Sequence, residues 1–119
     1  MLNLDTHVLL HALAGTLRPR EARLLAADAW SISAICLWEI SKLAQLGRIE
    51  LDLDAVELTR TLARIHTWPI TLDICRAIRT LDFHGDPADE IIAATSITHN
   101  VPLVTRDRRI RRSRRVPLA

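Results

Sequence analysis

Glycine is scarce, with three residues in a chain of 119. They stand far apart, at Gly15, Gly47 and Gly85, and cannot build either the GxGxxG turn of a dinucleotide site or a phosphate-cradling P-loop. Any chemistry must therefore come from side chains. Cysteine is scarcer still: Cys36 and Cys75 each sit in an apolar, helix-like stretch without CxxC spacing, so both are expected as buried thiols and not as zinc or redox ligands. Lysine occurs once, at Lys42. No apolar run approaches the roughly 20 residues that cross a bilayer. The N-terminus has no leading Lys or Arg and is interrupted by Asp5, His7 and His11, which argues against a secretory signal and leads to the expectation of a cytoplasmic protein.

What remains is globular in character, 49% apolar and 25% charged, the balance of ordinary folded domains. The length predicts one domain over residues 1–119, large enough to bury a core without disulfide or metal staples. Charge is unevenly spread. Residues 106–119 hold seven arginines against Asp107 alone, a local +6, while the rest of the chain has nine basic and 13 acidic residues, or −4. An acidic body joined to a basic end suggests a polyanionic partner.

Hydrophobic spacing alternates between strand and helix. Leu2 to Leu4 reads as a strand, and helical spacing follows through Val8, Leu9, Ala12 and Leu13 to Gly15. A helix is predicted from Glu21 to Ala27, a strand from Trp30 to Ser33, and a helix capped by Ser33 that closes at Gly47. Beyond a turn at Asp52 to Asp54, the pattern predicts a helix to about His66, a strand from Pro69 to Leu72 and a short helix from Asp73 to Leu81. Asp86 is placed to cap, and Pro87 to open, a helix running to Asn100. Val101 to Thr105 is a further strand, with a last one near Val116. Such alternation predicts an α/β fold, a three-layer α/β/α sandwich around a short parallel sheet.

Acids fall where such a sheet presents its ligands, beyond the carboxyl ends of strands. Asp5 follows the first strand, Asp107 follows the strand at 101–105, and Asp89 opens a helix. Glu39 interrupts the apolar run Ile35, Cys36, Leu37, Trp38, Ile40, where an inward carboxylate needs a cation or metal. Clustered carboxylate oxygens suit Mg²⁺ or Mn²⁺ better than zinc and commonly serve phosphoryl chemistry. Each acid also has a plain structural use, because Asp is a favoured helix cap and Glu39 could face solvent. His7 and His11, spaced i, i+4, could share a helix face and suit zinc, although packing is the commoner role of such a pair. Trp30, Trp38 and Trp68 are expected in the core, with an interface as the other use.

The segments LDTHVLLHAL, SAICLWEISKLAQLGRIEL, FHGDPADEIIAATS and PLVTRDRRI, in that order over about residues 2–110, resemble a PIN-domain ribonuclease, a VapC-type toxin of a type II toxin–antitoxin system. The resemblance implies a PIN-like α/β/α sandwich that gathers four acids around Mg²⁺ or Mn²⁺ and cuts RNA, leaving a 5′-phosphate. Carried over motif by motif, those acids are Asp5, Glu39, Asp89 and Asp107, with Asp86 as an additional acid near the metal. Thr6 and Thr105 match hydroxyl positions that support the site. A homodimer and a cognate antitoxin that covers the acidic cleft are implied as well. Arg106, Arg108, Arg111 and Arg112 would hold RNA backbone beside the cut, unless the basic end is a solvated tail or a surface for an acidic stretch of antitoxin. The chain departs from the family pattern at His11, where Trp is frequent, at Glu90, where Arg is frequent, and in a short stretch between Gly15 and Trp30.

Other classes fit less well. A receiver-type phosphoacceptor needs a Lys after its last strand, and Lys42 lies within a helix; a haloacid-dehalogenase-type phosphatase needs a second Asp where His7 stands. The remaining alternative is the same fold used without cutting, as a module that binds RNA or antitoxin.

Overall fold

A computed structural model describes residues 1–119. Four short strands, β1 (Leu2–Leu4), β2 (Trp30–Ser33), β3 (His66–Trp68) and β4 (Leu103–Val104), form one sheet in the order β3-β2-β1-β4, and every pairing is parallel. Seven helices connect or follow them: α1 (Thr6–Ala14), α2 (Pro19–Ala26), α3 (Ala34–Gln45), α4 (Val56–Ala63), α5 (Leu72–Ile78), α6 (Pro87–His99) and α7 (Arg108–Arg111). Successive strand residues point to opposite faces, and Leu2, Asn3 and Leu4 are all buried. Both faces of β1 are therefore covered, which is the three-layer arrangement the alternation predicts. Leu4, Leu9, Ile32, Cys36, Ile92, Leu103 and Ile110 anchor the core.

The order of strands decides where a ligand can sit. The chain winds from β1 outward through β2 to β3, then returns by α6 to place β4 on the other side of β1. The direction of winding reverses between β1 and β4, and in open parallel sheets the crevice beyond the carboxyl ends at that reversal is the ligand site. Asp5 leaves β1 and Thr105 leaves β4 at this crevice.

Local signals place most boundaries. Gly15 ends α1 with φ 71°, a left-handed conformation that suits a residue without Cβ. The Ser33 hydroxyl accepts the Ile35 N–H at 3.2 Å and opens α3. The third strand differs from expectation. It lies at His66–Trp68, three residues before the predicted Pro69, and α4 stops at Ala63. Pro69 has no N–H for a ladder, whereas the Thr71 side chain accepts the Ile74 N–H at 3.3 Å and starts α5. That helix ends at Ile78, short of Leu81. The first turn of α2 begins at Pro19, its fixed φ suited to the opening of a helix.

Three side-chain expectations are corrected. Cys75 is exposed, on the outer side of the short α5, although Cys36 is buried. Trp38 is 55% exposed and stands on the outer side of α3 beneath Lys42, whose Nζ is 5.9 Å from the ring. Trp30 and Trp68 are partly covered. The basic end is no tail: after α7 the chain turns back so that Leu103 N–H donates to Pro117 (2.8 Å) and Ala119 N–H donates to Leu103 (3.0 Å), with Val116 buried.

Candidate active site

Asp5 is 2% exposed, held just past β1. Its Oδ1 accepts the Thr6 N–H at 2.8 Å and its Oδ2 accepts the Thr105 hydroxyl at 2.6 Å. Thr105 in turn accepts the Asp107 N–H at 3.0 Å, so one hydroxyl ties the ends of β1 and β4 together. Thr6 makes the matching link on the other side by donating its hydroxyl to Glu39 at 2.5 Å. Each threonine thus bridges two acids, which fixes carboxylates from α1, α3 and α7 relative to one another.

Asp107 is both a cap and a crevice residue. Its Oδ1 accepts N–H groups of Arg109 (2.8 Å) and Ile110 (3.3 Å), opening α7. Oδ2 makes no hydrogen bond within the chain. Asp86 occupies the N-cap position of α6 with extended backbone, yet its side chain makes no capping bond. The expected cap is therefore a position without its usual hydrogen bond, and the carboxylate is left free beside Glu39 and Asp89.

Electrostatics report how closely the acids converge. Burial pushes the Asp89 carboxyl up to about 6, and the charges of Asp5, Glu39, Asp107 and Asp86 push it in the same direction. Glu39 is raised by burial and by Asp5 and Asp86, against the opposing Thr6 hydrogen bond. A carboxyl raised by desolvation and by like charges, at the crevice of a parallel sheet, is characteristic of functional sites. Glu90, one residue from Asp89, has its Oε2 3.9 Å from His84 Nδ1.

The histidines of α1 are engaged in hydrogen bonds. His7 Nε2 accepts the Arg106 N–H at 3.0 Å. A neutral ring that accepts there carries its proton on Nδ1, which stands 3.7 Å from Asp5 Oδ2. His11 joins Thr16 (2.7 Å) to Arg106 Nη1 (2.9 Å). Arg106 itself grips Glu21 with Nε and Nη2, both at 2.7 Å. That bond, with the Arg18 N–H at 2.8 Å, brings the Glu21 carboxyl down to about 2 despite its burial. Arg106 was expected to face RNA, but its guanidinium is turned inward and occupied. Glu21 drew no functional attention in the sequence, because a Glu in a first helical turn is common. The only signal for it was a long-range partner that no local pattern reveals.

The PIN domain family profile matches residues 3–116. The chain belongs to the PIN domain family. This PIN domain is 38% identical over 91 residues to Ribonuclease VapC22 of Mycobacterium tuberculosis (strain ATCC 25618 / H37Rv), covering 74% of this chain and 70% of that relative. Its fold is similar to that of VapBC2 from Rickettsia felis, solved bound to a DNA fragment from their promoter, with TM-score 0.73 at 18% identity over 100% of this chain and 98% of the other. It is also similar to a toxin–antitoxin complex from Klebsiella pneumoniae, with TM-score 0.68 at 22% identity over 90% and 87% of the two chains.

The donor chemistry of this PIN domain fits a hard divalent cation. The acidic groups around the crevice all offer carboxylate oxygens, and the charges of Asp5, Glu39, Asp107 and Asp86 add to burial in raising Asp89. No three His, Cys, Asp or Glu side chains stand close enough together to form a ligand set for a metal ion.

Proposed function

We propose that this chain is a cytoplasmic, metal-dependent endoribonuclease toxin that hydrolyses RNA phosphodiester bonds and is held in check by a cognate antitoxin. The observation that carries the reading is the placement of Asp5, Glu39, Asp89 and Asp107 around the β1–β4 crevice, where burial first and the other acids second raise Asp89 to about 6. Membership of the PIN family and the likeness to Ribonuclease VapC22 support RNA as the substrate. The toxin–antitoxin complexes among the structural neighbours support a protein inhibitor. A homodimer belongs to the same proposal, and the exposed Trp38 and Leu46 on and just past α3 offer it an apolar face. No helix is long and apolar enough to cross a membrane.

Asp5, Glu39, Asp89 and Asp107 would hold Mg²⁺ or Mn²⁺, with Asp86 nearby. When bound, the ion lowers the pKa of a coordinated water and neutralises charge on the scissile phosphate. Thr105 and Thr6 hold Asp5 and Glu39 in fixed orientation, so the carboxylates are preorganised and need not be recruited when substrate arrives. Asp89, raised in the metal-free chain, would ionise more readily beside a bound cation, and its ionisation completes the ligand set. Arg108, Arg111 and Arg112, all exposed, flank the acids and hold RNA backbone against the repulsion of the carboxylates.

The test is incubation of the purified protein with a panel of structured RNAs in Mg²⁺, Mn²⁺ or chelator. Cleavage in either metal, none in chelator, and none with Asp5→Asn is the expected pattern. Undiminished cleavage in chelator or by Asp5→Asn overturns the site, and tight binding without cleavage in any metal turns the assignment to a non-cutting RNA-binding module.

A further inference from the structure

A cleft of about 380 Å³ opens beside Thr105, lined by Arg18, Arg20, Arg108 and Arg111 together with the Arg106–Glu21 pair. We propose that this cleft is a phosphate subsite that holds the backbone of single-stranded RNA running out of the acidic crevice. The proposal rests on the ribonuclease reading and adds residues from the start of α2, which the basic C-terminal sequence did not suggest.

Three features carry it. First, the charge is uncompensated. Glu21 is the one carboxylate lining the cleft, and Arg106 already binds it through two hydrogen bonds. Arg18, Arg108 and Arg111 form no ion pair, whereas Arg20 is engaged by the Ala119 backbone oxygen at 2.8 Å. Several unpaired guanidinium groups facing one concavity match the oxygens of a phosphate, which they can bind in bidentate fashion. Secondly, the cleft shares a wall with the acids. Thr105 lines it while donating its hydroxyl to Asp5, and Arg111 Nη1 donates to the Thr105 carbonyl at 3.3 Å. The cleft and the acids therefore adjoin at Thr105. Thirdly, the lining excludes the other class of macromolecule as the better fit. Val104 is its single apolar residue, while a helix of a partner protein needs an apolar groove. Such a groove lies elsewhere, between α1 and residues 49–51, where Leu10, Leu13, Ile49 and Leu51 face a cleft of similar volume.

Glu21 gives the cleft its shape. It fixes Arg106 in the cleft wall through two hydrogen bonds.

The probe is a fluorescent single-stranded RNA titrated by anisotropy over a range of salt, in an Asp5→Asn background that does not cleave. Each phosphate contact on a single strand contributes roughly 0.7 to the slope of log K against log salt. Arg18→Ala with Arg108→Ala should flatten that slope by about 1.4, whereas Arg114→Ala with Arg115→Ala, outside the cleft, should leave it unchanged. A slope unaltered by the first pair overturns the subsite. So does a first pair that keeps the RNA slope while losing affinity for a polyglutamate peptide, which assigns the cleft to an acidic protein segment. Wild-type cleavage of the same RNA in Mg²⁺ or Mn²⁺ is measured alongside. If cleavage is present and the slope does not respond, the subsite fails alone, and if wild type neither cleaves nor binds RNA, the ribonuclease reading fails with it.

Discussion

Asp89 is the residue whose charge is least comfortable in the folded chain. Its carboxyl titrates near 6 in the native state against 3.8 unfolded. Between those values the native protein keeps the proton and the unfolded chain releases it, so stability falls as pH rises through the window and the loss is complete above it. Asp89→Asn should remove that fall in chelated buffer. It should stabilise the metal-free protein at pH 7 by about 1 kcal/mol, after allowing for solvent screening of a partly exposed group. Urea unfolding at pH 4 and pH 7 checks both, and equal pH dependence in variant and wild type contradicts it. Glu21 has the opposite sign. Its folded value of about 2 lies below the ordinary 4.5, so its contribution is present above 4.5 and disappears as pH falls towards 2. Glu21→Gln leaves Arg106 without its counter-charge and should cost about 2 kcal/mol at pH 7. Urea unfolding at pH 7 reads this cost, and a loss below half a kcal/mol, as for an exposed pair, speaks against a structural clamp.

At the scale of elements, two helix starts separate capping from catalysis. Asp107 caps α7 with one oxygen and leaves the other free. Asp107→Asn keeps an N-capping side chain and should retain stability while losing most cleavage, whereas Asp107→Ala should lose cleavage and in addition about 1 kcal/mol. Asp86 makes no such bond, so Asp86→Ala should cost less than about 0.5 kcal/mol in metal-free protein, against the ~1 of a working cap. Thermal unfolding paired with an RNA assay distinguishes the cases. These starts also show what the sequence could and could not convey. Strand β1, helix α1 and the Ser33 start of α3 were legible because apolar period, cap residue and closing glycine agree. The third strand was misplaced because Ile70 and Leu72 look more strand-like than His66 and Thr67, and only pairing with Ser31, Ile32 and Ser33 selects the earlier segment. Asp5, Glu39, Asp89 and Asp107 were legible as candidates by position and by motif. The inward turn of Arg106 was not, because Glu21 and His11 are far from it in sequence and an arginine among arginines has no local mark.

For the molecule as a whole, a bound cation should act as glue across the β1–β4 crevice, since Asp5, Glu39, Asp89 and Asp107 reach it from separate elements. A ligand confined to the native state stabilises by about 2.7 kcal/mol at one hundred times its dissociation constant. Mg²⁺ or Mn²⁺ should therefore raise the midpoint of thermal unfolding, Ca²⁺-free chelated buffer should lower it, and Asp89→Asn should blunt the response. An identical midpoint in metal and chelator counts against the cation. The pairing of β1 with β4 has a further consequence in time. Asn3 faces Leu103 in the sheet, and these contacts, which join the two ends of the described chain, carry a large loop-closure cost and form late in folding. Synthesis delivers the amino end first. A ribosome that has passed residue 89 has already made three of the four acids, yet the crevice still lacks one wall. Any activity that needs both Asp107 and Asp5 must wait until the last strand is made and inserted, so a translation product cut short before β4 should lack it.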